Sequence, residues 1–173
     1  MEVAMLTEPT AASGGTAVLD RPVADTTAVM QRLDDLLDLS NVRMKLADSE
    51  EGPGLDQGQI DLMEREYRKF LAMQIMHPDA VLVPCQIVDE MWHRHILDTA
   101  AYREDCQAIL GRFLDHYPYF GMRNEVEAQE LTDAYAETLD LYREAFGEPP
   151  AGSWVSSEGA ARCRRQCAPM KCK

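Results

Sequence analysis

The chain has 173 residues, which suits one domain with an extra segment at either end. Hydrophobic residues make up 46% of it, enough for a real core, and the net charge of −13 argues against non-specific binding to nucleic acid or a membrane surface. No stretch approaches the roughly 20 apolar residues of a membrane-spanning helix, and Met1–Ala4 lacks the positive-then-apolar order of a signal peptide. We therefore expect a cytoplasmic protein that binds neither nucleic acid nor membranes.

The five cysteines are an odd number and are unevenly placed along the chain. Two lie in the middle, and three lie near the end: Cys85, Cys106, Cys163, Cys167 and Cys172. This distribution is not a disulfide framework, so we expect the cysteines to begin as thiols.

Residues 1–25 are small and polar and predict a disordered arm. Thr26 or Thr27 can cap a first helix, whose apolar residues recur at helical spacing from Val29 to Leu39. A short apolar continuation, residues 42–46, follows, and Gly52-Pro53-Gly54 then breaks the chain.

A second helix is predicted from about Asp56 to Met76, because apolar residues recur along one face and His77-Pro78 ends the pattern. Its charged residues, within 64–69, are most simply explained as a solvated face.

A third helix is predicted over about Gln86 to Leu97. Asp98-Thr99 can cap a fourth helix or lie within a continuous one that reaches Leu110.

The second half of the chain predicts an aromatic turn, over residues 113–121, and then one long helix. Asn124 and Glu127 have the spacing of a capping box, and Gly147 ends the helix. The sequence therefore predicts an all-α protein. Its helical domain, residues 26–147, is a compact bundle of four to five helices, followed by a basic, cysteine-containing tail, residues 148–173.

The third predicted helix carries two histidines, His93 and His95, at a spacing that separates them by about 200° around a helix. They should therefore not bind one ion together. His95 shares a core-facing stripe with Tyr102 and Cys106, and two interpretations stay open. It is either a buried histidine that bonds a backbone carbonyl or Tyr102, or a catalytic acid–base group acting with Tyr102.

His93 falls one helical turn after Asp89, close enough to share a metal ion or to form an orienting hydrogen bond. His77 and His116 lie at turns near prolines, where they could complete the metal site or only cap nearby carbonyls. All four histidines fall between residues 77 and 116, which favours a shared metal centre. The expected cofactor is a divalent transition metal such as iron, zinc or copper.

The tail places its three thiols, Cys163, Cys167 and Cys172, among arginines and lysines that would lower thiol pKa values. With Met170 these thiols would suit a soft metal. A redox or modification role and an adventitious thiol-bearing tail are the alternatives.

Several sequence blocks together resemble the glycine-rich domain-containing protein-like family, in its stand-alone bacterial form. The resemblance spans about residues 25–147 and includes all four histidines. The blocks are Glu66-Tyr67-Arg68-x-Phe70-Leu71, His77-Pro78, Val88-Asp89-x-x-Trp92-His93-x-His95-Ile96-Leu97-x-Thr99, Tyr102-x-x-Asp105-Cys106, Gly111, and His116-x-Pro118-x-Phe120-Gly121. The resemblance implies a helical domain without an established activity.

Three functions are compatible with these residues. The first is a small metal-dependent enzyme, oxidative or hydrolytic, that acts on a small molecule or peptide. The second is a non-catalytic scaffold whose tail binds soft metal or is modified, and the third is a helical domain that modifies its own tail. A homo-oligomer is also possible for such a chain.

Overall fold

The computed structural model describes residues 25–154, and this range contains six α-helices and no β-strand. The helices are α1 Thr26–Leu36, α2 Ser40–Ala47, α3 Gln57–Met76, α4 Gln86–Leu97, α5 Thr99–Leu110 and α6 Glu125–Phe146. The predicted all-α class is therefore confirmed. None of the described helices has the length and apolar character to cross a membrane.

The sixth helix is the short apolar continuation after α1. Leu37 adopts an extended backbone that ends α1. The carboxylate of Asp38 then accepts the backbone N–H of Ser40 at 2.9 Å, which starts α2. Val42 and Leu46 of this short helix are buried, so it contributes to the core as a separate element.

Asp98 separates α4 from α5, which settles the two alternatives for this segment. Its backbone leaves the helical region, and its side chain caps α5 by accepting from the N–H of Ala101. The capping of α6 differs in part from the prediction. Asn124 accepts from the N–H of Glu127 as expected, but Glu127 returns its bond to the N–H of Arg123, one residue early.

α3 is the central helix, since it packs against each of the other five. Its apolar stripe is fully enclosed, with Ile60, Tyr67, Phe70 and Met73 showing no exposed surface. α4 packs against this stripe of α3 with its own buried residues.

The prediction of a solvated charged face on α3 is wrong for four of its five residues, and only Arg65 is exposed as predicted. Glu66 is completely buried, and the side chains of Glu64, Arg68 and Lys69 are each less than one fifth exposed. Arg68 explains part of the difference, because its guanidinium donates to the carbonyl of Leu33 at 2.8 Å and closes the end of α1. Charged side chains on this face therefore bind other elements.

Trp154 lies in the segment predicted as a tail, yet it is buried against α6. Its ring stacks on Tyr135 with centroids 6.2 Å apart and contacts Tyr142 at 5.1 Å. The described chain therefore ends against α6 and α3, where the indole N–H of Trp154 donates to Glu66.

Candidate metal centre

Three potential metal ligands meet between α4 and the loop after α5. Asp89 lies in the first turn of α4, His93 lies one turn later, and His116 approaches from the loop. His116 Nε2–H donates to Oδ1 of Asp89 at 3.0 Å, and His93 Nδ1 lies 3.5 Å from Oδ2. One ligand atom from each residue lies within 4.8 Å of the other two.

All three side chains are partly buried, with exposed fractions of 14% for Asp89, 15% for His116 and 32% for His93. The two imidazole rings are tilted against each other with centroids 4.5 Å apart. Their nitrogens therefore face one small region while one side of the group stays open to solvent.

A chain of buried hydrogen bonds supports His116. The indole of Trp92 packs edge-on against the imidazole of His116, with centroids 4.6 Å apart. Trp92 Nε1–H donates to the hydroxyl of Tyr102 at 2.8 Å, and that hydroxyl donates to the carbonyl of Leu114 at 2.5 Å. Leu114 lies two residues before His116, so this chain fixes both the loop and the ring. Burial raises the pKa of Tyr102, which keeps its phenol protonated as the donor.

A pocket of about 840 Å³ opens beside this group, and Asp89 and His116 form part of its wall. Trp92, Leu82 and Phe120 contribute apolar surface. The volume lies in the range of pockets that bind small molecules. Part of the candidate metal centre therefore faces a space large enough for a substrate.

His95 belongs to a different network, as its position two residues after His93 predicted. Its Nε2–H donates to Asp105 at 2.9 Å, and its Nδ1 accepts from the hydroxyl of Tyr67 at 3.0 Å. Burial lowers the pKa of His95, although hydrogen bonding to Asp105 opposes the shift. Burial also raises the pKa of Tyr67. His95 and Tyr102 touch edge to face at 4.9 Å, but neither lines the pocket.

The other predicted ligands lie elsewhere. His77 is the C-cap of α3, where its backbone N–H donates to Met73, and it is not part of the ligand group found among the described residues. The three tail thiols, Cys163, Cys167 and Cys172, lie outside the described residues. Cys106 is a buried free thiol and is also outside that ligand group.

The sequence interpretation missed a second polar cluster around Glu66. Its carboxylate accepts from the hydroxyl of Tyr142 at 2.8 Å, from the indole N–H of Trp154 at 2.9 Å and from Lys69 at 3.1 Å. Lys69 also donates to Tyr142 at 2.6 Å. This cluster ties α3 to α6 and to the end of the described chain.

The family model described as UCP032817-like matches residues 36–136, more than half of the chain, and this range includes Asp89, His93 and His116. No curated protein and no solved structure matches the chain. The proposed resemblance to the glycine-rich domain-containing protein-like family is therefore wrong. Several residues that carried it, such as Val88, Trp92 and Tyr102, are buried. Such buried residues reflect the packing of α4 and α5, so they are weak evidence for membership of a particular family.

Proposed function

The chain belongs to the UCP032817-like family, and we propose that it binds one divalent transition-metal ion through Asp89, His93 and His116. The observation that carries the proposal is the convergence of three ligand atoms within 4.8 Å of one another at the wall of a large pocket. Asp89 and His93 share one helix, so two of the three ligands are held rigidly, and Trp92 supports the third ligand.

Two imidazole nitrogens and one carboxylate oxygen favour iron(II) or zinc over copper(I), which prefers sulfur ligands. Three protein ligands also leave coordination positions for water or substrate, which is the pattern of catalytic sites. We therefore propose a metal-dependent enzyme of oxidative or hydrolytic type. A bound metal would act as a Lewis acid or lower the pKa of a bound water.

The protein's own contribution would be to position the ligands and to shield one side of the site from water. Asp89 would supply negative charge to the ion, and Trp92 shields one side of His116. Tyr102 acts through Trp92 as a positioning residue, not as a group in contact with substrate. His95, bonded at both ring nitrogens, would hold α4 to α3 and α5. A small molecule or peptide remains the proposed substrate, and a cytoplasmic location and a homo-oligomer remain predictions.

The alternative is a non-catalytic binding or scaffold module. One observation favours it: His116 already bonds Asp89, and His93 lies 3.5 Å from the same carboxylate, so the group can tie the loop to α4 without an ion. In that case the cysteine-rich tail would bind soft metal or be the target of modification.

Elemental analysis of the purified full chain, with its absorption spectrum, tests the metal proposal. We expect close to one equivalent of iron or zinc in wild type and a large loss in His116→Gln. His77→Gln is the matched control, because His77 is partly exposed and outside the ligand group. Equal metal content in both variants, or background metal with unchanged stability in a chelator, would rule the site out.

A further inference from the structure

The pocket beside the candidate metal centre has a strongly acidic lining. Five carboxylates contribute to it: Asp89, Asp115, Glu130, Asp133 and Glu137. No lysine or arginine is among the lining residues of the described chain. Two arginines contact lining residues but already have partners: Arg112 bonds Gln74, and Arg123 lies over the ring of Tyr117 and 4.0 Å from Glu127.

Three of these carboxylates form a row along one face of α6. Glu130, Asp133 and Glu137 are separated by three and four residues, which places them on one side of a helix over about 10 Å. All three are exposed. The lining also includes apolar side chains such as Leu131 and Met122. An occupant should therefore combine several positive charges with apolar surface.

The chain itself contains a segment of this character. Residues 162–173 carry five of its 17 lysines and arginines and no acidic residue. Cysteines, Ala168, Pro169 and Met170 supply apolar groups between the charges. The remainder of the protein is strongly acidic, so the segment and the pocket are complementary in charge.

The segment can also reach the pocket. The described chain ends at Trp154, which stacks on Tyr135 of α6. Tyr135 is two residues from Asp133, or roughly 200° around the helix, so the path must pass half-way around α6. Half the circumference of a helix 10–12 Å across is about 16–19 Å, and the eight residues from Trp154 to Arg162 can span about 26–29 Å.

We propose that residues 162–173 dock in this pocket of their own chain, with arginine side chains on the carboxylate row of α6. The proposal goes beyond the metal site and does not depend on it, because the charges on α6 and the length of the chain suffice. It predicts that the segment and the pocket protect each other from solvent.

The test is the alkylation rate of each tail thiol in the metal-free full chain, measured with iodoacetamide and peptide mass spectrometry. A variant with Glu130→Gln, Asp133→Asn and Glu137→Gln should react about three- to tenfold faster at Cys163 and Cys167, since each surface ion pair contributes modestly.

The matched control carries Glu104→Gln, Asp140→Asn and Glu144→Gln, which remove the same charge from exposed positions outside the pocket lining. This control should react like wild type. The buried Cys85 and Cys106 report folding in the same digest and should stay slow in every variant. Equal rates in the two triple variants would overturn the proposal.

A second measurement needs no variant. Carbodiimide coupling of dilute wild type should join Lys171 or Lys173 to Glu130, Asp133 or Glu137, and the yield should fall as salt screens the charges. The absence of these links would overturn the proposal. A yield that rises with protein concentration would also overturn it, because the segment would then come from a second copy.

Discussion

Nε2 of His116 lies 3.0 Å from Oδ1 of Asp89, and this contact joins the loop after α5 to the first turn of α4. The two residues are 27 positions apart in the sequence. Their contact closes the group to which His93 contributes its Nδ1, so the same geometry serves either a hydrogen-bonded tie or three ligands to one ion.

Asp89→Asn removes the negative charge that a cation would need at this point. We expect its dissociation constant for zinc to rise by more than the 10–100-fold that loss of an outer partner typically costs. Calorimetric titration of the purified chain measures this. Asp115→Asn is the control, because Asp115 lines the same pocket outside the ligand group. An unchanged affinity in Asp89→Asn would show that zinc binds elsewhere.

The sequence predicted all three members of this group as ligands, two of them for a local reason. Asp89 and His93 are four residues apart in one helix, and helical geometry alone brings them together. The approach of His116 depends on the path of the loop, which the bond between Tyr102 and the carbonyl of Leu114 fixes. Every residue has a backbone carbonyl, so the sequence does not show which carbonyl accepts this bond. The sequence therefore did not distinguish His77 from His116 as a metal ligand.

Tyr102→Phe tests whether the support of His116 matters. The change leaves the indole N–H of Trp92 and the carbonyl of Leu114 without their partner, which should cost about 1–3 kcal/mol of unfolding free energy. Urea denaturation measures this loss. If Tyr102 also positions the metal site, the dissociation constant for zinc should rise by about 10–100-fold.

Tyr119→Phe is the matched control for that experiment, because Tyr119 is 60% exposed. Its stability and zinc affinity should match those of wild type. A Tyr102→Phe protein that loses stability but keeps full zinc affinity would limit Tyr102 to a structural role.

The charged face of α3 shows that the spacing of apolar residues predicts where a helix lies but not which of its charged residues are buried. The spacing of apolar residues located α3 correctly, because its buried stripe follows the helical period. The pattern could not show that Glu66 is buried, since its indole partner, Trp154, lies 88 residues away and the two interact only in the folded protein. A charged residue in a helix can be expected to face solvent only where no hydrogen-bond donor from a distant part of the chain contacts it.

Glu66→Gln should therefore be strongly destabilising. The neutral amide loses the charge that Lys69 pairs with and part of the acceptor capacity that Tyr142 and Trp154 use. Breaking a buried pair in this way costs about 3–5 kcal/mol. Chemical denaturation measures the change, with the exposed Glu144→Gln as the control. A loss of unfolding free energy below about 1 kcal/mol would mean that the cluster tolerates a neutral side chain in place of Glu66.

His95 gives the protein a predictable dependence on pH. Its pKa in the folded state is lowered, because burial disfavours the imidazolium more than Asp105 and Asp98 favour it. The unfolded chain, with a histidine pKa near 6.5, therefore binds the proton more readily. Stability from neutral His95 is fully present above about pH 6.5 and is lost as the pH falls through the folded-state pKa.

Two measurements check this dependence. NMR titration of His95 should give a midpoint below 6.5. Between pH 7 and pH 5 the unfolding free energy of wild type should fall more steeply than that of His95→Gln, which has no proton to bind at this position. The other three histidines are present in both proteins, so the difference in slope isolates His95. Equal slopes in the two proteins would mean that Asp105 stabilises the imidazolium of His95 in the folded protein as well as water does in the unfolded chain.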